Sequence, residues 1–323
     1  MAILVIPCRI HRVRLVVVRV AVGRLVFFLL YKYRVGSIVE RIPQTGVMTS
    51  EQYHADKTRV SKSGLDLIRK SPRHYWWKYL NPDAKPEPAK KWGDFGHEFH
   101  CAITERDRFD REYFCINDEA KVSEIAGANP RATSKYKEWK AGVLKENTGK
   151  TAISVADFDT LRYMSDSVLA NKSANWLLKK GVAEQSFFFT DPTTGAKCKI
   201  RPDWLSDVGV CVDLKSCRDA SPQGFNRSVM DYRYHVQNAF YIDGLDSAIM
   251  DAPREFCFIA VEKDPPYLCA VYTLDSFYVQ LGRMEYEQDL RTYANCLKTG
   301  NWHGYSDKIE YLTAPSWAKP RFL

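Results

Sequence analysis

A chain of 323 residues, 45% hydrophobic and 13% aromatic, can bury a large core as one big domain or two, and its composition speaks against disorder or a fibre. Its nine cysteines are odd in number and include no C-x-x-C pair, which argues against a disulfide framework or a zinc ribbon and fits a reducing cytoplasm. The net charge of +8 sits almost wholly at one end. Residues 1–47 carry eight Arg or Lys and one Glu, so about +1 remains for the rest, and any nucleic-acid surface must be a local patch.

Residues 13–35 are apolar but interrupted by arginines such as Arg14, Arg19 and Arg24. They are too charged for a membrane-spanning helix and lack the unbroken apolar core of a signal peptide. A basic interfacial helix is one reading. The preferred one takes Met48 as the natural start, with 1–47 a basic apolar leader outside the domain and 48–323 a single domain.

Ser61 or Ser63 reads as the N-cap of a helix through Ile68. Ser61, Lys62 and Ser63 at that helix start could hold a phosphate, although plain capping explains them equally well. Residues 74–80 form a second short helix whose aromatics either pack or stack on bases, with packing favoured. A Pro- and Lys-rich loop over 81–92 leads to a helix over 93–105. There Gly96 allows close approach and His100 lies four residues on, with His97 one turn below. Residues 106–133 read as polar and irregular. Helices follow over 134–147 and 154–170, the second with Phe158, Leu161, Met164 and Val168 at helical spacing, and a short one ends after Trp176.

Glu184 opens an aromatic strand to Thr190, and a turn over 191–195 pairs it with 196–203. The turn Ser206-Asp207-Val208-Gly209 then predicts a hairpin that sets Asp203 beside Asp213. Lys215, two residues past Asp213, points to the same face. Two carboxylates and a lysine together are costly to bury, because like charges repel and desolvation takes several kcal/mol. A hard divalent cation such as Mg²⁺ would offset both, with the lysine orienting water or stabilising charge. The plain alternative is a surface hairpin with scattered charges. Beyond it lie a helix from about Pro222, a helix over 232–241 on which Gln237 and Tyr241 share a face, strands over 255–261 and 268–273, a helix over 275–297, and an appendage containing Trp317. This order predicts an α/β core, a mixed central sheet flanked by helices.

Gly96-x-x-x-His100, Glu184, Pro202-Asp203, Asp213-x-Lys215 and Gln237-x-x-x-Tyr241, in that order, resemble the motif set of the RecB-like branch of the PD-(D/E)XK nucleases, and within it the exonuclease VIII (RecE) nuclease domains of prophage origin. The resemblance spans roughly 49–320. It implies a PD-(D/E)XK core in which Asp203, Asp213, His100 and the backbone carbonyl of Leu214 bind Mg²⁺, with Mn²⁺ a substitute. Lys215 is then the catalytic lysine that positions water, Glu184 a further acid at metal or water, and Gln237 and Tyr241 the pair that touches DNA or braces the site. It also implies an exodeoxyribonuclease that digests linear double-stranded DNA from 5′ to 3′ and leaves 3′ tails for recombination. Such enzymes act as a ring-shaped homo-oligomer, a tetramer, beside a RecT-like single-strand annealing protein in the cytoplasm, with no membrane. Ser61, Lys62 and Ser63 are the candidates for holding a 5′ phosphate. A single-strand or structure-specific nuclease of the same superfamily, or a catalytically dead DNA-binding module, stays open.

Overall fold

The computed structural model describes residues 48–84, 95–125 and 127–314, and the backbone of three strands within 3–34. Those strands, β1 (Ile3–Pro7), β2 (Val13–Val22) and β3 (Leu25–Arg34), form an antiparallel meander. The stretch weighed as an interfacial helix is therefore extended, in keeping with its run of β-branched valines. The rest of the leader, the tip of the Lys-rich loop and the appendage around Trp317 lie outside the described residues.

Helix α1 (Ser50–Ala55) starts at a capping box in which Thr49 Oγ1 accepts from the Gln52 N–H and Gln52 Oε1 from the Thr49 N–H. Ser61 caps α2 (Lys62–Lys70), and Pro72 opens α3 (Pro72–Tyr79). Helix α3 buries Tyr75 against Tyr293 and Trp302 but leaves Trp77 63% exposed. Next come α4 (Phe95–Thr104), α5 (Arg106–Glu112), β4 (Tyr113–Ile116), α6 (Asp118–Glu124), α7 (Ser134–Glu146), β5 (Thr151–Ser154), α8 (Val155–Ala170) and α9 (Lys172–Leu178). Residues 106–124 are thus not irregular as expected. Strand β4 exists because it pairs in parallel with β5, some 38 positions on, a partnership that local composition does not reveal.

The remaining elements carry the site. They are β6 (Gly181–Ala183), β7 (Phe187–Thr190), β8 (Lys197–Ile200), β9 (Trp204–Ser206), β10 (Val210–Cys217), α10 (Pro222–Asp231), α11 (Tyr234–Ala248), β11 (Glu255–Glu262), β12 (Cys269–Tyr272) and α12 (Ser276–Thr299). The central sheet runs β12-β11-β10-β9-β6, with β10 and β11 parallel and the other pairs antiparallel; β7 and β8 form a separate ribbon. The β9–β10 hairpin turns where expected. Gly209 takes a φ of +81, a left-handed conformation that costs glycine least, and Val210 pairs with Ser206.

Strand β10 is buried on both faces. Val212 and Leu214 pack with Phe99, Leu161 and Met164, whereas Cys211 faces the larger core of Phe225, Phe240, Phe258 and Leu290. By the two-residue period of a strand, Asp213 and Lys215 share the Cys211 face and look toward α11. Helix α12 crosses the first turn of α11 closely enough that a Cβ at Gly282 would collide with the His235 carbonyl. Among the described residues no helix is long and apolar enough to cross a membrane.

Candidate active site

Four distant segments meet at the open end of the hairpin. Helix α4 supplies His100, the link between β6 and β7 supplies Glu184, the hairpin supplies Asp203, Asp213 and Lys215, and α11 supplies Gln237 and Tyr241. Asp203 Oδ2 accepts from the backbone N–H of Leu214 at 2.7 Å, and Oδ1 lies 3.4 Å from His100 Nδ1. The other ring nitrogen of His100 bonds the Leu214 carbonyl at 2.9 Å. Lys215 Nζ sits 2.5 Å from Asp213 Oδ2 and donates to Gln237 Oε1 at 3.1 Å, while the Gln237 amide donates to the second oxygen of Asp213. The same ammonium lies 4.6 Å above the centre of the Tyr234 ring.

Glu184 is not the first residue of the aromatic strand. It occupies a left-handed kink, φ +52, between strands of two different sheets, a conformation that costs a non-glycine residue about 1–2 kcal/mol. Its N–H donates to the Asp203 carbonyl at 3.2 Å, and its carboxylate is gripped by Arg201 Nε at 2.6 Å. Arg201 also donates to Ser186 Oγ and to the Met48 carbonyl, tying the segment just before α1 to the site. Sequence reasoning gave Arg201 no role. Its position two residues before Asp203, hence on the same side of an extended chain, was the available signal.

Asp203 and Asp213 are 7% and 2% exposed, so their charges interact with little screening. Burial opposes ionisation of Asp203, yet His100, Lys215 and the Leu214 N–H hold it below the usual carboxylate range. Burial and the Asp203 charge push Asp213 up to about 6 and Glu184 up to about 7. Burial works against a charged His100, but the facing Asp203 and then Asp213 carry its pKa up to about 9. Lys215 is likewise raised, because Asp213 and Asp203 outweigh its desolvation. It is therefore a cation at neutral pH and acts as a donor, not as a base.

His100, Glu184 and Asp203 each present a ligand atom, all within 4.8 Å of one another. One imidazole and two carboxylates suit a divalent ion of Mg²⁺ or Mn²⁺ type, and the excess of clustered acid gives it something to neutralise. Asp213, expected among the ligands, stands outside this tight group, turned to Lys215 and Gln237; the Leu214 carbonyl is engaged by His100. An imidazolium between Asp203 and Leu214 supplies the positive charge that a metal would bring. Metal capture must displace its proton, so Mn²⁺ affinity is expected to rise about tenfold per pH unit from pH 7 and to level off above about 9. Below pH 7 the proton on Glu184 must leave too, and the slope steepens. Calorimetry in buffers of differing ionisation enthalpy counts the protons; a pH-independent affinity would remove His100 from the ligand set.

The site opens into a cavity of about 930 Å³ that Ser61, Lys62, Ser63 and Tyr241 also line. Ser61 caps Gly64 and shares a hydrogen bond with Ser63, and Lys62 donates to the Tyr232 carbonyl at 2.7 Å while pairing with Asp66 at 2.8 Å. Capping is thus realised, in the same cavity as the acids. Tyr241, one turn beyond Gln237, has its hydroxyl pKa raised by burial.

A family profile described as a PDDEXK-like domain of unknown function (DUF3799) matches residues 61–315, which include each of the expected site residues. The crystal structure of a candidate exonuclease from Eubacterium rectale aligns with a TM-score of 0.53 at 16% identity, over 79% of this chain and 88% of that one; at this identity the likeness is one of fold. An alkaline exonuclease from Laribacter hongkongensis aligns over 63% of this chain and 97% of that one at 12% identity, with a TM-score of 0.25 that carries no argument. No curated protein matches the sequence.

Proposed function

From the premise that the chain belongs to the PDDEXK-like DUF3799 family, we propose that it is a metal-dependent DNA nuclease, and specifically an exonuclease of the RecE type acting on the ends of linear duplex DNA. The observation that carries the reading is the convergence of His100, Glu184 and Asp203 in one cavity, next to a buried Asp213–Lys215 pair. His100, Glu184 and Asp203 would hold the cation, Mg²⁺ or in its place Mn²⁺, with Asp213 and the Leu214 carbonyl the further ligands that the motif resemblance implies. Bound there, the cation would polarise the scissile phosphate and make water more acidic. Lys215, charged and fixed, donates to the attacking water or to a phosphate oxygen and stabilises the charge that builds there. Gln237 keeps Lys215 and Asp213 in register, Tyr241 meets the DNA strand, and Ser61, Lys62 and Ser63 receive a terminal 5′ phosphate.

The 5′-to-3′ polarity, the 3′ tails for recombination, the tetrameric ring, the RecT-like annealing partner and the cytoplasmic setting are proposed on the motif resemblance. So is a domain beginning near Met48.

Duplex labelled at either 5′ or 3′ end, beside a covalently closed circle, tests the reading. With Mg²⁺ the linear duplex is expected to lose its 5′ label first and the circle to survive, and chelation stops digestion of the linear duplex. A cut circle would replace the exonuclease by an endonuclease, and an inert protein on every DNA would leave the binding-module alternative.

A further inference from the structure

We infer that Tyr234 is a positioning residue for Lys215: the face of its ring is the floor that keeps the ammonium beside Asp213 when that carboxylate is drawn toward a cation. The kinetic consequence rests on the nuclease reading; the contact itself does not.

Lysine is a compact charge on a flexible four-carbon stem, and fixing it costs rotamer entropy that its partners must offset. Three groups hold Lys215: Asp213 at 2.5 Å, Gln237 at 3.1 Å and the Tyr234 ring with its centre 4.6 Å from Nζ. The first two are linked, since the Gln237 amide donates to the same Asp213 carboxylate. A divalent ion nearby would compete for Asp213 and repel the ammonium. Of these three contacts the ring is the one independent of the Asp213 carboxylate, and the attraction of a cation to an aromatic face grows on desolvation.

The ring is itself held firmly. Tyr234 stacks on Phe258 at 5.6 Å and 28° and on Tyr232 at 5.6 Å and 26°, and Phe225 lies 5.9 Å away. Burial raises the pKa of its hydroxyl, so the ring carries no charge of its own at neutral pH. Tyr234 also precedes Gln237 by three residues on α11, so one helical face presents both partners of the lysine. A mere core filler would need the stacking but not the ammonium over its face.

Two measurements separate these roles. On linear duplex with Mg²⁺, Tyr234→Leu is expected to lower kcat about tenfold or more with KM within about twofold, and Tyr234→Phe to stay within about threefold of the parent, since the ring and not the hydroxyl does the holding. In metal-free protein labelled with ¹³C-lysine, the Lys215 CεH₂ signal, assigned by its loss in Lys215→Arg, is expected upfield from the ring current in the parent and in Tyr234→Phe. In Tyr234→Leu it moves to the ordinary lysine position. Should the Leu variant not fold, Tyr234→Met, whose unbranched flexible side chain adapts to the gap, takes its place. A Lys215 signal without the upfield shift in the parent, or a Leu variant with the kcat of an active parent, overturns the inference. A shifted signal in a parent that cleaves no DNA supports the ring contact while refuting the nuclease reading.

Discussion

Replacing Asp203 by Asn is expected to reduce metal-dependent cleavage at least about 1,000-fold, a loss of about 4 kcal/mol of transition-state stabilisation, while the fold survives. Asp203 is the acid that stays ionised in the cluster, because His100 and the Leu214 N–H favour its charge even as burial opposes it. Glu184 and Asp213 are pushed the other way and partly protonate near neutrality. Of the three acids, Asp203 is thus the one whose negative charge the surrounding groups secure for a cation. An Asn oxygen can still accept the Leu214 N–H, so the hairpin keeps its shape. Mn²⁺ calorimetry should register the lost affinity, and thermal unfolding should move little. Activity within tenfold of the parent would mean that the cluster is not the reaction centre.

The second large effect is on stability. Arg233→Met is expected to cost about 3–5 kcal/mol, the range for breaking one side of a buried ion pair. Arg233 precedes α11 at φ +55 and reaches Asp66 on α2 at 3.0 Å, and Glu285 and Asp289 on α12 at 3.1 and 2.5 Å. Its side chain is 14% exposed and that of Asp289 only 3%, so the substitution strands a buried carboxylate. Burial already raises the Asp289 pKa with Arg233 present. Urea unfolding measures the loss, and Arg233→Met with Asp289→Asn should recover part of it, as coupled neighbours do. A loss under about 1 kcal/mol would deny Arg233 the role of joining α2, α11 and α12. Because the next turn of α11 carries Tyr234 and Gln237, cleavage is expected to weaken as well.

Several features of the fold were readable from short stretches. The helical spacing of Phe158, Leu161, Met164 and Val168 predicted the face that α8 buries; the last three are in the core, and Phe158 packs half-buried against it. The turn ending at Gly209 predicted the hairpin, and with it the approach of Asp203 to Asp213; the bond from the Leu214 N–H to Asp203 came with the folded structure. The family profile and the similar fold agree with the expected mixed sheet flanked by helices. Other features were not readable. Three-residue β6 exists only as a partner of β9, where a Cβ on Gly181 would strike the Leu205 carbonyl and the Trp204 ring. Parallel β4 and β5 depend on each other in the same way. Glu184 was expected to open the aromatic strand, but β7 begins at Phe187 and Glu184 sits in the kink where the chain passes from one sheet to another.

Local chemistry alone pointed to Asp203, Asp213 and Lys215 as a group, and the motif resemblance added His100, Glu184, Gln237 and Tyr241. Turns, helix caps and periodic burial act over a few positions, and they deliver Asp203, Asp213 and Lys215 to one edge. How the charges divide among those groups emerged only from the folded chain. That His100 and Glu184 gather with Asp203, while Asp213 turns to Lys215, Gln237 and the ring of Tyr234, depends on contacts between segments up to 114 residues apart. Electrostatic interaction is strong there because the sheet and helices exclude water, and no local run of sequence encodes that exclusion.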